Sequence, residues 1–237
     1  MFGADARAAE RSMISSAPRL LPKLLVRLRD DYPAESYRER AVLYREGSSA
    51  EVVFLLQAGI VKLHRVAGDH SMLVRLMGPG DIWGAWFEED APLWQESAEC
   101  MRPVRAHAIP VAEFRRAISR DAELAVWVAR LLARRLIETE RRMALLSFHR
   151  VEQRLLYSLA ELAENCGLNE GREEYALPLT QTDLASMIGA TRETVSTALN
   201  ALERRGLLRL GRRSLEFSSP ERLRSEAAGS GQSDPNA

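Results

Sequence analysis

The sequence predicts an α+β chain: a glycine-punctuated all-β barrel or sandwich, one long helix, and a compact C-terminal unit of two helices and a hairpin. Three observations carry that expectation. Short β-type runs broken by glycine turns fill the stretch from Ala41 to Ile109, which is the cadence of an antiparallel β domain. From Val111 the apolar period becomes helical and stays so through Leu146. Beyond Leu179, two short amphipathic segments flank Gly189 and lead into β-type residues around Gly211, so a helix–turn–helix followed by a hairpin is expected.

Taken in order, residues 1–17 are small and polar and are expected to be disordered. A β domain over 18–120 then opens with a short apolar helix around Leu20 to Leu28, closed by Pro33. Val42-Leu43-Tyr44 runs to the turn at Glu46-Gly47, and Val52–Gln57 is followed by Gly59. Ile60–Val66 meets Gly68-Asp69, and Met72–Met77 meets Gly78-Pro79-Gly80-Asp81. Pro110 starts a short helix over Val111–Ile118.

The long helix, within 121–148, carries Leu124, Trp127, Val128, Leu131, Leu132, Leu136, Met143 and Leu146 near coiled-coil spacing, with an Arg- and Glu-rich back. Such a seam must be covered. The β domain can supply part of the cover, and the same helix of a second subunit most simply supplies the rest in an isologous dimer. The expected interface is Leu124, Val128, Leu131, Leu132, Arg135, Met143 and Leu146. The alternative is a helix lying wholly on its own domain. The third unit spans 149–217: a helix from Val151 to about Cys166, a polar connection over Gly167–Glu174, and the helix–turn–helix with its hairpin. Residues 218–237, rich in Ser, Gly, Glu and Pro, are expected to be a disordered tail.

Composition sets the limits. The 237 residues carry 33 basic and 33 acidic side chains, with 46% hydrophobic and 28% charged residues. A wholly disordered chain and a histone-like blanket of positive charge are both excluded. Net neutrality averages over domains, so it leaves nucleic acid open. All but two of the basic residues are arginine, Lys23 and Lys62 being the exceptions. Cys100 and Cys166 stand alone, without the spacing of a disulfide framework, zinc knuckle or iron–sulfur cluster. No run of apolar residues is long enough to span a membrane. A soluble cytoplasmic protein without metal or cofactor is expected.

The most informative stretch runs from Leu179 to Leu202. Thr180 with Asp183 three residues on resembles a capping box for the first helix. Leu184, Ala185 and Ile188 form its inner stripe, Gly189 makes the turn, and Thr191 is placed to cap the second helix. On that helix Val195, Ala198, Leu199 and Leu202 face inward. Arg192, Glu193, Ser196, Thr197 and Asn200 therefore face outward, and all five can hydrogen bond. A recognition helix uses this end to reach base edges in the major groove. Gly206 ends the helix, and the hairpin that follows has Arg212 and Arg213 at its tip. From Thr180 to Phe217 six basic residues face four acidic ones, a local positive balance.

Gly-x-Thr-Arg-Glu-Thr-Val-Ser, here Gly189 to Ser196, resembles the signature of the Crp–Fnr family of transcription regulators. Gly78-Pro79-Gly80-Asp81 is similar to the glycine turn of that family's β-roll, Ala133-Arg134-Arg135-Leu136 to its dimerisation helix, and Val151-x-x-Arg154-Leu155 to the helix after it. The resemblance implies an N-terminal, jelly-roll-like β-roll that senses an effector, a long dimerisation helix and a C-terminal winged helix–turn–helix. It also implies a homodimer on inverted-repeat, double-stranded promoter DNA, with RNA polymerase as a partner. Carried over by residue, it implies that Arg192 and Glu193 read bases and that Ser196, Thr197 and Asn200 lie near the same edges. Thr180, Gln181, Thr191, Thr194, Arg212 and Arg213 would meet the DNA backbone. Where several members have arginine this chain has Thr197, which removes one guanine or phosphate contact.

The resemblance also locates an effector pocket at Trp83, Gly84, Ala85, Trp86, Glu96, Ser97, Trp127 and Thr139. Members that bind cyclic AMP have Gly-Glu, then Arg followed by Ser or Thr, to hold ribose and cyclic phosphate. Here the positions read Gly84-Ala85 and Glu96-Ser97. Ala85 cannot bind a ribose hydroxyl, and the Glu96 carboxylate repels a phosphate. Cyclic AMP in the usual mode is therefore not expected. Two lone cysteines cannot hold a cluster that needs four thiolates, and His64, His70, His107 and His149 lack metal-ligand spacing. What fills the region is aromatic: Trp83, Trp86, Phe87 and Trp94, with Trp127 as a candidate neighbour. Either these rings pack into one another, or they stack around an apolar effector. A regulator controlled by its own abundance is a third option. The rival of a different class is a signalling adaptor whose winged helix binds protein. An enzyme is the weakest reading, for want of a nucleophile–base pair, metal cluster or phosphate-binding loop.

Overall fold

A computed structural model describes residues 21–68, 70–84, 92–165, 175–211, 214–217 and 219–229. Ala85, Trp86, Phe87, Cys166, Arg212 and Arg213, the expected disordered segment 1–17, and residues 230–237 of the expected tail lie outside the described residues.

Helix α1 (Lys23–Asp31) precedes eight strands: β1 (Glu35–Tyr37), β2 (Val42–Tyr44), β3 (Val52–Ala58), β4 (Val61–Ala67), β5 (His70–Met77), β6 (Ile82–Gly84), β7 (Ser97–Cys100) and β8 (Val104–Pro110). They form two antiparallel four-stranded sheets, β1-β8-β3-β6 and β2-β7-β4-β5. Alternation explains why β3 reads as one continuous apolar run. Phe54 and Leu56 point between the sheets with Val61, Leu63, Met77 and Trp83. Val53 and Leu55 point to the other face, where α1 and the following helices cover them through Leu25, Phe114 and Leu124. A strand buried on both faces has no polar side to alternate with.

Helices α2 (Val111–Arg120) and α3 (Ala122–Phe148) follow. Asp121 caps α3 by accepting from the Leu124 amide at 2.7 Å. The apolar residues of α3 form two stripes, which corrects the expected interface. Leu124, Val128 and Leu131 are buried in the chain's own core beside α1 and α2, and Arg135 donates to the carbonyl of Ile82 on β6. The three buried leucine and valine side chains cannot line a seam open to a second subunit, whereas Arg135 stays half-exposed beside it. The uncovered stripe is Leu132, Leu136, Met143 and Leu146, which are 37%, 60%, 64% and 42% exposed. With exposed Thr139 they repeat at alternating steps of four and three residues, the heptad rhythm.

The C-terminal unit comprises α4 (Val151–Asn165), β9 (Tyr175–Leu177), α5 (Gln181–Ile188), α6 (Arg192–Arg204), β10 (Arg209–Leu210), β11 (Leu215–Phe217) and α7 (Pro220–Gly229). Its small sheet has the order β10-β11-β9. Helix α7 overturns the expectation of disorder for residues 220–229: Leu223 and Ala227 are fully buried in the core that also holds Leu155 and Leu159 of α4. The Ser219 hydroxyl accepts from the Arg222 amide at 3.2 Å, so Ser219 caps a helix with proline at its first position. That signal outweighs the Ser- and Glu-rich composition. The same core takes in Ile60, Leu73 and Leu76, so the outer face of the β4–β5 hairpin is continuous with the C-terminal unit.

Candidate nucleic-acid interface

The Thr180 hydroxyl accepts from the Asp183 amide at 3.1 Å, and the Asp183 carboxylate accepts from the Thr180 amide at 3.1 Å and its hydroxyl at 2.6 Å. This is the capping box read from the sequence, and it fixes where α5 begins. Gly189 ends α5 at φ 62° and ψ 49°, a left-handed conformation that glycine adopts without steric cost. Thr191 starts α6, its hydroxyl accepting from the Thr194 amide at 3.2 Å. Val195, Leu199 and Leu202 are buried. Arg192, Glu193, Thr197 and Asn200 are exposed and Ser196 is half-buried, so the five outward residues share one solvent face. Thr197 also donates to the Glu193 carbonyl at 3.0 Å.

One groove of about 340 Å³ brings together Thr180, Gln181, Thr182 and Arg192 with Gly211 and Ser214 of the hairpin. The start of α5, the start of α6 and the wing thus converge. Amides at a helix N-terminus and an exposed guanidinium are the groups that meet phosphates and guanine edges. Thr191 and Thr194 also lie at this end, with their hydroxyls 2.9 Å apart inside the cap. Leu210 is tied to α6 by donating its amide to Glu203 at 2.8 Å. Arg205, counted above in the local positive balance, is committed elsewhere: it pairs with Glu152 of α4 at 2.5 Å and with Glu226 of α7.

The β domain shows which expected pocket residues meet. Tyr44 stacks on Trp94 with ring centroids 3.6 Å apart, and Phe54 lies 5.2 Å from Trp83. These rings fill the space between the sheets. Burial, reinforced by the Glu96 carboxylate, pushes the Tyr44 phenol well above its usual range. Trp127 does not join them; it packs on the other side of β3, against the core of α1 and α2. Gly84 has a backbone reason, because a Cβ there would lie 3.0 Å from the Val52 carbonyl oxygen and from Val53 Cα. The Ser97 hydroxyl accepts from the Glu46 amide at 3.0 Å. Thr139 donates to the Arg135 carbonyl at 2.8 Å and sits on the uncovered stripe of α3. Cys100 is buried, its thiol pushed up to about 11 by desolvation and then by Glu99. His107 is buried against the Tyr32 carbonyl at 2.7 Å. Among the described residues no group of three or more His, Cys, Asp or Glu could hold a metal ion, and no helix is long and apolar enough to cross a membrane.

Sequence reasoning missed Lys62 and Ser186, which join the β domain to α5, and Arg142, which donates from α3 to the Val74 carbonyl at 2.7 Å. Only the rarity of lysine marked Lys62 in advance.

Comparison with known proteins places both halves. Residues 34–121 match the model of the cyclic nucleotide-binding domain, and residues 153–226 match that of the Crp-like helix-turn-helix domain. The chain is 34% identical over 183 residues to the CRP-like cAMP-activated global transcriptional regulator of Mycobacterium tuberculosis, covering 76% of this chain and 82% of that protein. It is 30% identical over 197 residues to the cyclic AMP receptor protein of Thermus thermophilus, covering 81% and 87%. Among solved structures, FixK2 of Bradyrhizobium japonicum matches with a TM-score of 0.70 at 26% identity, over 82% of this chain and 96% of that one. A CRP/FNR-family regulator of Thermus thermophilus matches with a TM-score of 0.68 at 26% identity, over 83% and 98%. The Mycobacterium tuberculosis relative and the second Thermus thermophilus one are named as transcriptional regulators, not as enzymes.

Proposed function

Since this chain belongs to the Crp–Fnr family of transcription regulators, we propose that it acts as a homodimer on inverted-repeat promoter DNA and is not controlled by cyclic AMP in the usual way. The observation that carries the reading is the groove joining the capped start of α5, Arg192 of α6 and the wing. Arg192 is the guanine reader, by two donors to O6 and N7, and Glu193 accepts from cytosine N4. Ser196, Thr197 and Asn200 complete the reading face. Thr180 and Gln181, with Arg212 and Arg213 from the wing tip, hold phosphates and set register. The exposed stripe Leu132, Leu136, Met143 and Leu146 is the surface for the second subunit, and RNA polymerase is the downstream partner. One relative is named as cAMP-activated and another as a cyclic AMP receptor, which makes the effector a pointed question. Against cyclic AMP stand the Glu96 carboxylate and the aromatic filling between the sheets. An effector of another class, apolar or aromatic, would have to displace or join those rings.

A gel shift on genome-selected sites, titrated with salt and with cyclic AMP, tests this. The logarithm of affinity should fall steeply with that of salt, by about 0.9 per phosphate contact, and cyclic AMP should leave affinity unchanged. Arg192→Ala should lose ~1–3 kcal/mol of discrimination at one guanine per half-site. An unchanged footprint in that variant refutes the base-reading assignment, and tighter binding with cyclic AMP refutes the effector reading.

A further inference from the structure

Lys62 is one of only two lysines in a chain whose other basic residues are arginine. It lies on β4, on the face opposite Val61 and Leu63, which point between the sheets. Its ammonium is 3.2 Å from Asp183 of α5 and 3.8 Å from Glu99 of β7, and the Lys62 and Asp183 side chains are only 16% and 12% exposed. Asp183 is the residue that closes the capping box. Its Oδ2 accepts from Thr180 and its Oδ1 from Lys62, so one carboxylate both starts the first helix of the DNA-reading pair and ties it to the β domain. One turn on, Ser186 accepts from the Leu73 amide of β5 at 3.1 Å and donates to the Asp183 carbonyl at 2.9 Å.

We propose that Lys62 is a positioning residue for DNA reading, fixing the angle at which each subunit presents α6. The inference rests on the dimer-on-DNA reading above and deepens it. The apolar contact of Ile60, Leu73 and Leu76 with the C-terminal unit is non-directional and holds the surfaces together without fixing their register. The Lys62–Asp183 and Leu73–Ser186 contacts are directional and stand one turn apart, so together they fix both the rotation and the tilt of α5. Helix α6 follows through the single left-handed residue Gly189 and has no independent freedom. A compact ammonium suits this place, because it can sit between two carboxylates that would otherwise repel each other. Half-site spacing on DNA is a geometric property of a dimer, and the tilt of α6 in each subunit sets it.

The test uses the full chain and a library of inverted repeats with every spacer length across one helical turn. Wild type should select one spacer. Lys62→Gln should keep the half-site bases, bind the preferred spacer about fivefold more weakly, and spread its selection over neighbouring spacers, with Lys62→Arg between the two. Hydrogen exchange at the Leu73 amide should quicken in Lys62→Gln, a readout that needs no DNA. Unchanged spacing and unchanged Leu73 protection overturn the proposal. So does an equal loss on every spacer accompanied by a lower melting temperature, which is the mark of a merely structural residue. If wild type selects no inverted repeat, the dimer-on-DNA reading and the spacing role fall together, and Leu73 exchange alone decides whether Lys62 clamps α5.

Discussion

Leu136→Ala isolates the proposed dimer seam. Leu136 is 60% exposed in the single chain, at the middle of the stripe from Leu132 to Leu146. Fully burying a leucine side chain is worth ~1.5–3 kcal/mol, so covering its exposed share in two copies contributes ~1.8–3.6 kcal/mol. Cutting it to alanine should therefore weaken self-association by about 20- to 400-fold. Sedimentation equilibrium over a range of concentrations reads that directly. Leu131→Ala is the control: Leu131 lies one residue from the seam but is buried in its own domain, so it should lower the melting temperature with little change in the association constant. A dimer constant that moves less than about threefold in Leu136→Ala refutes the seam. So does a larger effect from Leu131→Ala than from Leu136→Ala.

Leu223→Ala in α7 should cost ~2–5 kcal/mol of stability by denaturant unfolding, because the side chain is fully buried in the α4 core; a loss below ~1 kcal/mol would show that α7 is not docked. His64 gives a pH signature. Burial first, and then the Lys62 charge, lowers its pKa below the ordinary 6.5, with Glu99 and Asp183 opposing. The folded chain therefore binds fewer protons than the unfolded one just below that value, so stability is full above it and declines as pH falls through that window. His64→Gln should flatten the decline in melts between pH 5 and 7, and an unaltered slope would exclude His64 as its source.

The helix–turn–helix was legible because each of its signals is local. A threonine and an aspartate three residues apart make the box at Thr180 and Asp183, one glycine makes the turn at Gly189, and Val195, Leu199 and Leu202 fall on one stripe. The strands were legible for the same reason, since Gly47, Gly59 and Gly80 take up the positive φ that punctuates them. The seam of α3 was misread because spacing identifies apolar stripes without saying what covers each. Leu124, Val128 and Leu131 form one stripe and Leu132, Leu136 and Met143 another, and only the packing of α1 and α2 separates them. Trp127 went to the wrong cluster for the same reason. Helix α7 was hidden by a short apolar stripe, Leu223 and Ala227, although Ser219-Pro220 announced its start. The rarity of lysine marked Lys62, but its role could not be read, because nothing in a strand names the helix that will lie on its outer face.

The long helix connects these observations mechanically. Arg135 donates to the Ile82 carbonyl of β6, two residues before Gly84. Two turns on, Arg142 donates to the Val74 carbonyl of β5, where a register shift in the β4–β5 ladder leaves an extra residue. Arg75 adds an ion pair to Glu138 at 2.5 Å. The helix that carries the stripe proposed to meet the second subunit is therefore bonded to β6, and also to the hairpin on which α5 docks. Through α3, which carries the proposed seam, β6 is thus linked to β5, on which α5 docks. A ligand shifts such a system only by its differential affinity for the two arrangements. Trp83, Phe54, Tyr44 and Trp94 stack on one another between the sheets, so a ligand entering there would have to displace or join them. On the reading proposed above, the DNA-reading geometry is set by the fold, and the β4–β5 surface on which α5 docks is where that geometry is fixed.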